Sequence, residues 1–208
     1  MARREKESFA MASEAPAWPS IRSVTPEELD GAARTLAAAF EEYPWTRWSI
    51  PEDSYRDRLE QLQRLYLGHA LEHGVILVED DLHGVLALLP PQAPEPSSSL
   101  QEQIAARHGS RLEALAGAVT PPPPEAAWNL ATLGVHPEWQ GRGLGRALVE
   151  AALEHVSRVD GAAVALETSD ERNVRLYEGA GFRVTSTSTL EGGPVVVSML
   201  RSSSGRSG

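Results

Sequence analysis

A chain of 208 residues, 41% of them hydrophobic and 23% charged, has the composition of a globular domain and a length that suits one large domain. These values exclude a wholly disordered chain or a collagen-like repeat, and the absence of cysteine excludes disulfides, thiolate metal sites and cysteine nucleophiles. The 19 basic against 29 acidic residues, a formal charge of −10, repel nucleic acid and anionic membranes unless basic residues are concentrated somewhere. Lys6 is the only lysine, so that question concerns arginines.

Residues 1–19 carry no apolar segment of signal-peptide type and are expected to be a flexible leader. Ile21 to Val24 is predicted as a short strand. Thr25-Pro26-Glu27-Glu28 then opens a helix to about Phe40, with Thr25 as cap, Pro26 in the first turn and Glu28 completing a capping box. Glu41 to Trp48 is expected to join this to a second helix, Ser54 to Glu72, with Leu59, Leu62, Leu65 and Tyr66 on one face. Val75 to Glu79 and Val85 to Leu89 form a predicted hairpin around Asp80-Asp81. A helix from Leu100 to Ala116 follows, then a strand from Trp128 to Val135, a glycine-rich turn and a helix from Leu144 to Val156. The remaining predicted elements are a strand from Ala162 to Thr168, a short helix from Glu171 to Gly179, and strands at Phe182 to Thr185 and Val195 to Leu200. Pro90 to Pro96 and Pro121 to Pro124 are stiff, extended segments expected to be surface connections. Residues 202–208 have nothing to bury and are expected to be a disordered tail, leaving residues 20–201 as a single domain. The class is α+β: one mixed, mostly antiparallel sheet of six to seven strands with helices on both faces. No run reaches the ~18 apolar residues of a membrane span, so a cytoplasmic protein is expected.

The turn Gln140-Gly141-Arg142-Gly143-Leu144-Gly145-Arg146 carries the strongest signal. Three glycines at alternate positions let main chain approach a ligand, and exposed amides with the positive end of the following helix make an anion site. Arg142 and Arg146 make this loop basic within an acidic chain. It lacks the Gly-Lys-Ser/Thr ending of a Walker A loop, and Arg146 stands where a dinucleotide fingerprint needs its last glycine.

Gln140-x-x-Gly143-x-Gly145, preceded by Val135-x-Pro137, resembles the acetyl-CoA pyrophosphate loop of the GNAT N-acetyltransferases. Asn173-Val174-Arg175-Leu176-Tyr177-Glu178-Gly179-Ala180-Gly181-Phe182 resembles the second block of that superfamily, in the same order and at the usual separation. Within it, Ala33 to Phe40 with Tyr43-Pro44, Leu130 to Val135, and Leu166 to Ser169 look similar to puromycin N-acetyltransferase-like actinobacterial enzymes. The resemblance implies acetyl-CoA as co-substrate, its pyrophosphate on the amides of Arg142, Gly143, Leu144, Gly145 and Arg146, with Gln140 and Gly141 also in the cofactor-binding loop. It implies that the pantetheine arm runs along Leu133, Gly134 and Val135, where Gly134 could mark a bulge opening the sheet. Tyr177 takes the role of general acid to the leaving thiolate, and Asn173 either bonds the pantetheine or caps its helix.

Many members of that family carry a glutamate on the strand before the loop, whereas Trp128 to Val135 contains no carboxylate. Glu167 on the next strand is the nearest substitute base, with Glu42 a weaker one. A lysine-type amine costs about 4.6 kcal/mol to deprotonate at pH 7 and an α-amine only about 1–1.4 kcal/mol, so a missing strand base favours an α-amine-like acceptor. Glu41, Glu42, Tyr43, Trp45 and Trp48 suit a cationic ring-bearing amine, or alternatively anchor their loop to the core. Trp128 is expected in the core, Trp139 as a loop anchor, and His69 and His73 as solvent-exposed helix residues with no metal. The expected function is acetyl transfer to a primary amine of a small molecule, an aminoacyl-type antibiotic such as puromycin being the sharper form, in a monomer or homodimer with no nucleic-acid or membrane partner. A peptide or protein N-terminal acetyltransferase and a non-catalytic acyl-CoA-binding module are the alternatives.

Overall fold

The computed structural model describes residues 20–159 and 162–203; the expected leader and residues 204–208 of the expected tail lie outside the described residues. The chain opens with β1 (Ile21–Ser23), a 3-10 turn at Pro26–Glu28 and helix α1 (Leu29–Phe40). The capping pattern operates as its residues suggest: the Thr25 amide donates to the Glu28 carboxylate at 2.9 Å. A short helix α2 (Pro44–Ser49) replaces the expected loop, with Pro44 in its first turn. After α3 (Tyr55–His73) come β2 (Val75–Glu79) and β3 (Gly84–Leu89). The single helix expected from Leu100 to Ala116 is instead α4 (Ser98–His108) and α5 (Leu112–Ala116), broken at Gly109, whose φ of +47° stops helical propagation. β4 (Trp128–Val135), α6 (Leu144–Val159), β5 (Val164–Thr168), α7 (Glu171–Gly179), β6 (Arg183–Thr189) and β7 (Val195–Arg201) complete the fold.

The sheet has seven strands in the order β1-β2-β3-β4-β5-β7-β6. Every neighbouring pair is antiparallel except β4 and β5. Alternation along the central strands sorts side chains onto two faces. Ile76, Val78, Val85 and Ala87 pack with Leu36 of α1 and Leu67 and Ala70 of α3. Leu77, Leu86 and Leu88 pack on the other face with Leu144, Leu148, Val149 and Val156 of α6. Covered on both faces, β3 therefore reads as a continuous apolar run instead of an alternating one. Trp128 joins the second cluster, as expected. On α3 the buried face is Leu59, Leu62, Gln63, Leu67 and Ala70; Tyr66, expected on that face, is 42% exposed.

Two features of β4 prepare the site. Ala87 pairs with Thr132 and Leu88 with Leu130, so Ala131 is the extra residue of a bulge. Gly134 is not the bulge: a Cβ there would lie 2.7 Å from Leu36 Cδ2 and 3.0 Å from Ala39 Cβ, so glycine is what lets α1 sit directly on β4. Substituting Gly134 by alanine should overpack this contact and lower stability by about 1–3 kcal/mol, a fall of roughly 2–10 °C in the melting temperature. A melting temperature equal to that of the unsubstituted chain would show that α1 can lift without cost.

Candidate active site

The glycine-rich loop is pinned at both ends. Gln140 donates its side-chain amide to the Val135 carbonyl at 3.0 Å, so it ties the loop to the end of β4. Gly141 and Gly143 have φ values of +74° and +92°, conformations that L side chains rarely adopt. The Ala147 amide donates to the Gly143 carbonyl at 3.0 Å, starting α6. Among the described residues, the successive amides of Gly141, Arg142, Gly143, Leu144, Gly145 and Arg146 find no acceptor. That is a preformed cradle for an anion at the positive end of a sixteen-residue helix. The basic charge of the loop is smaller than the composition suggests. Arg146 pairs with Glu150 at 2.7 Å, whereas Arg142 has no carboxylate partner among the described residues.

Upstream of the loop the sheet opens. β4 and β5 pair only at Trp128 with Val164 and Asn129 with Ala165, so the two strands part beyond that point. Along Leu130 to Val135 the edge of β4 facing β5 is left without a strand partner, and an extended ligand can supply the missing hydrogen bonds as an added strand would. Leu133 and Val135 are half-buried along it, and Gly134 is buried beneath α1.

At the opposite end of β4 lies a cleft of about 700 Å³ that reaches the parted strands at Ala131, Thr132 and Leu133. The two proline segments, expected to be mere connections, form part of its wall: Pro90, Pro91, Pro94 and Pro96 from one, Pro123 and Pro124 from the other. They meet because Leu89, at the end of β3, pairs with Asn129, near the start of β4. Glu95, Glu125 and Glu167 line the cleft, and no lysine or arginine among the described residues does.

Of the expected acceptor residues, Tyr43 and Trp45 line this cleft and Glu42 does not. Glu42 is an exposed surface residue paired with Arg47 one turn along α2, and Glu41 pairs with Arg56. Neither carboxylate lines the cleft, which leaves Glu167 as the carboxylate of the two proposed bases that does. Trp45 stands edge-on to Trp48, centroids 5.4 Å apart. The Tyr43 hydroxyl accepts the Ser169 amide at 2.7 Å and lies 3.0 Å from Thr168 Oγ1. Thr168 and Ser169 thus line the cleft and hold the Tyr43 hydroxyl, a placement that sequence reasoning did not single out; their only signal was the run Leu166 to Ser169. Asn173 does not cap α7, since Asp170 accepts the Arg172 amide at 2.8 Å in that role. It lines the cleft and approaches Thr168 Oγ1 at 3.4 Å. His69 lies on the cleft wall and is half-buried with His73, their rings 4.7 Å apart, rather than freely exposed.

Tyr177 of α7 stands where the cleft meets the parted strands. It is 4% exposed and edge-on to Phe182, and its hydroxyl has no hydrogen-bond partner among the described residues. Burial, reinforced by the neighbouring Tyr43, pushes this phenol far above the usual tyrosine range, so it holds its proton at any physiological pH. Glu167 is exposed on β5, and its Oε1 accepts from Ser198 Oγ at 3.2 Å, which orients the carboxylate.

Among the described residues no helix is long and apolar enough to cross a membrane. Comparison with known proteins agrees with the architecture. A 93-residue stretch is 34% identical to the mycothiol acetyltransferase of Nocardiopsis dassonvillei, covering 44% of this chain and 28% of that protein. A 57-residue stretch is 46% identical to the mycothiol acetyltransferase of Propionibacterium freudenreichii, covering 26% of this chain and 18% of that one. The chain therefore matches only 18% and 28% of these curated relatives' length, and they are not the puromycin-type enzymes that Ala33 to Phe40 with Tyr43-Pro44, Leu130 to Val135 and Leu166 to Ser169 resemble. The solved structure of histone acetyltransferase HPA2 and related acetyltransferase from Corynebacterium glutamicum superposes with a TM-score of 0.72 at 22% identity, over 92% of this chain and 99% of the other. An acetyltransferase from Salmonella typhimurium, solved with its cofactor acetyl-CoA, gives 0.53 at 15% identity, over 91% and 96%. Both likenesses concern the fold. Residues 99–202, half of the chain, match the acetyltransferase (GNAT) domain, and with that match the chain belongs to the GNAT acetyltransferase family.

Proposed function

We propose that the chain transfers acetyl from acetyl-CoA to the primary amine of a small molecule by direct attack. The observation that carries this reading is the parting of β4 from β5, with six free amides at one end and an acidic cleft at the other. Acetyl-CoA, when bound, supplies a thioester carbonyl and a thiolate leaving group. The residues present fit it: the amides of Gly141 to Arg146 and the guanidinium of Arg142 suit a diphosphate, while the open edge at Leu133 to Val135 suits an amide-bearing arm. Gln140 contributes by fixing the loop, and Asn173 offers its side-chain amide beside the same edge.

On the acceptor side, Glu167 takes the proton from the incoming ammonium, directly or through water, and its second carboxylate oxygen is free to do so. Tyr177 donates its hydroxyl proton to the sulfur as negative charge develops there. With a reference pKa of ~10 against ~8.5 for a thiol, and raised further by burial, the phenol is the weaker acid, so the transfer is uphill and depends on the hydroxyl being held against the sulfur as the C–S bond breaks, after which the phenolate regains a proton from water. The family name shared by the curated relatives supports a small-molecule amine. Glu95, Glu125 and Glu167 favour a cationic amine, and Tyr43 and Trp45 an apolar body next to it.

Acetyl transfer should be screened over puromycin-type α-amines, the amine substrate of mycothiol acetyltransferases, lysine-type amines and N-terminal peptides. We expect the α-amine small molecules to be acetylated most efficiently, and turnover of peptides alone would overturn the acceptor assignment. Tyr177→Phe should lower kcat by about 10²–10⁴-fold while leaving acetyl-CoA affinity within about threefold; unchanged kcat would remove the general acid. Because its phenol is pushed upward, kcat/KM should rise with pH as the amine loses its proton and show no fall near the ordinary tyrosine range. A descending limb centred near pH 10 would show that Tyr177 titrates normally. Glu167→Gln should depress kcat for lysine-type amines more than for α-amines, reflecting the ~3 kcal/mol greater cost of deprotonating them.

A further inference from the structure

Beside the anion cradle three flat groups are piled on one another. The His83 imidazole, on the turn between β2 and β3, stacks on Trp139 with centroids 3.9 Å apart and planes 17° from parallel. The Arg142 guanidinium carbon lies 4.6 Å from the centroid of the same indole. The base of the pile is anchored in the sheet. The His83 amide donates to the Glu79 carboxylate at 3.0 Å and its carbonyl accepts the His136 amide at 2.8 Å, while its buried Nδ1, 3.2 Å from Glu79 Oε2, makes no hydrogen bond among the described residues. Glu79 itself is 2% exposed. The top of the pile is held by the Glu138 carbonyl, which accepts from Arg142 at 3.1 Å.

An exposed arginine ordinarily samples many rotamers, and its charge ordinarily finds a nearby carboxylate. Arg142 has no described carboxylate partner, and its exposed guanidinium instead lies over a ring, where cation–π attraction favours this one position. The amides of Gly141 to Arg146 are on the same loop, so this charge and the free donors belong to one anion site.

We propose that His83 and Trp139 are positioning residues for the acyl donor, forming a pedestal that presents Arg142 to a phosphate group of CoA. This rests on the acetyl-CoA reading above. It assigns a role in donor binding to a hairpin residue more than fifty positions upstream of the loop, through a contact that no sequence motif encodes.

The test is calorimetric titration of acetyl-CoA into the full chain and its variants. Arg142→Ala should weaken binding about tenfold, the loss of a charge-assisted phosphate contact. Trp139→Ala should weaken it about three- to fivefold, and the double variant should bind no more weakly than Arg142→Ala alone, because Trp139 acts through that side chain. His83→Ala should weaken binding about twofold, with His83→Phe, which keeps a stacking ring, restoring it. Additive losses in the double variant, or Trp139→Ala binding like the unsubstituted chain, would overturn the pedestal. Should Trp139→Ala fail to fold, His83→Ala combined with Arg142→Ala completes the same cycle. An unsubstituted chain that does not bind acetyl-CoA at all would instead overturn the donor reading, and the pedestal with it.

Discussion

The separation of β4 from β5 beyond Asn129 is the constraint on which the rest of the site depends. Strand edges inside a domain carry peptide donors and acceptors whose hydrogen bonds must go somewhere, and leaving them unmade is costly. The fold leaves one such edge open and arranges everything else around it. α1 presses onto Gly134 from one face and α6 covers the other, so the strand is held in place without its lateral partner. The Ala131 bulge adds local twist at the level where the strands separate. Tyr177, delivered by α7, which packs on β5, lines the same cleft as Ala131. A ligand that completes the edge is thereby aligned with the only buried, unpartnered phenol that the described residues place in the cleft.

Charge is distributed by the same logic. Many of the surface carboxylates are matched by arginines: Glu41 with Arg56, Glu42 with Arg47, Asp53 with Arg58 and Asp30 with Arg64. Exposed pairs of this kind contribute little stability, about 0–1 kcal/mol each, but they cancel the field of the acids they hold. The carboxylates of Glu95, Glu125 and Glu167 lie in the cleft without an arginine among the described residues, and Arg142 lies in the loop without a carboxylate. The net charge of −10 therefore says less about ligands than the location of the groups left unmatched.

What could be read from the sequence was local in origin. The loop glycines, the apolar stripe of α6 and the Thr25–Glu28 cap each depend on residues within a turn or two, and their outcome follows from spacing. Features set by long-range register were invisible. Nothing near Ala131 marks it as the bulged residue, because that follows from how β3 meets β4. Gly134 looked like a bulge because an isolated glycine in a strand has two physical explanations, and only the position of Leu36 decides between them. That Glu42 pairs with Arg47 and does not line the cleft was equally hidden, because the helix begun by Pro44 turns Arg47 back toward it. The Thr168–Ser169 pair was overlooked because its importance lies in holding the Tyr43 hydroxyl, more than a hundred residues away.

The proline walls have a bearing on how the site can change. A prolyl residue has its φ already set, so a wall built from several of them surrenders little conformational freedom on folding and has little left to surrender when a ligand arrives. Such a mouth selects by shape already present and adapts poorly to a larger guest. Altered acceptor choice would then come more readily from exchanging the side chains between the prolines, Ala93 and Glu95, than from loop rearrangement. In evolutionary terms, the rim is a rigid frame with a few replaceable panes.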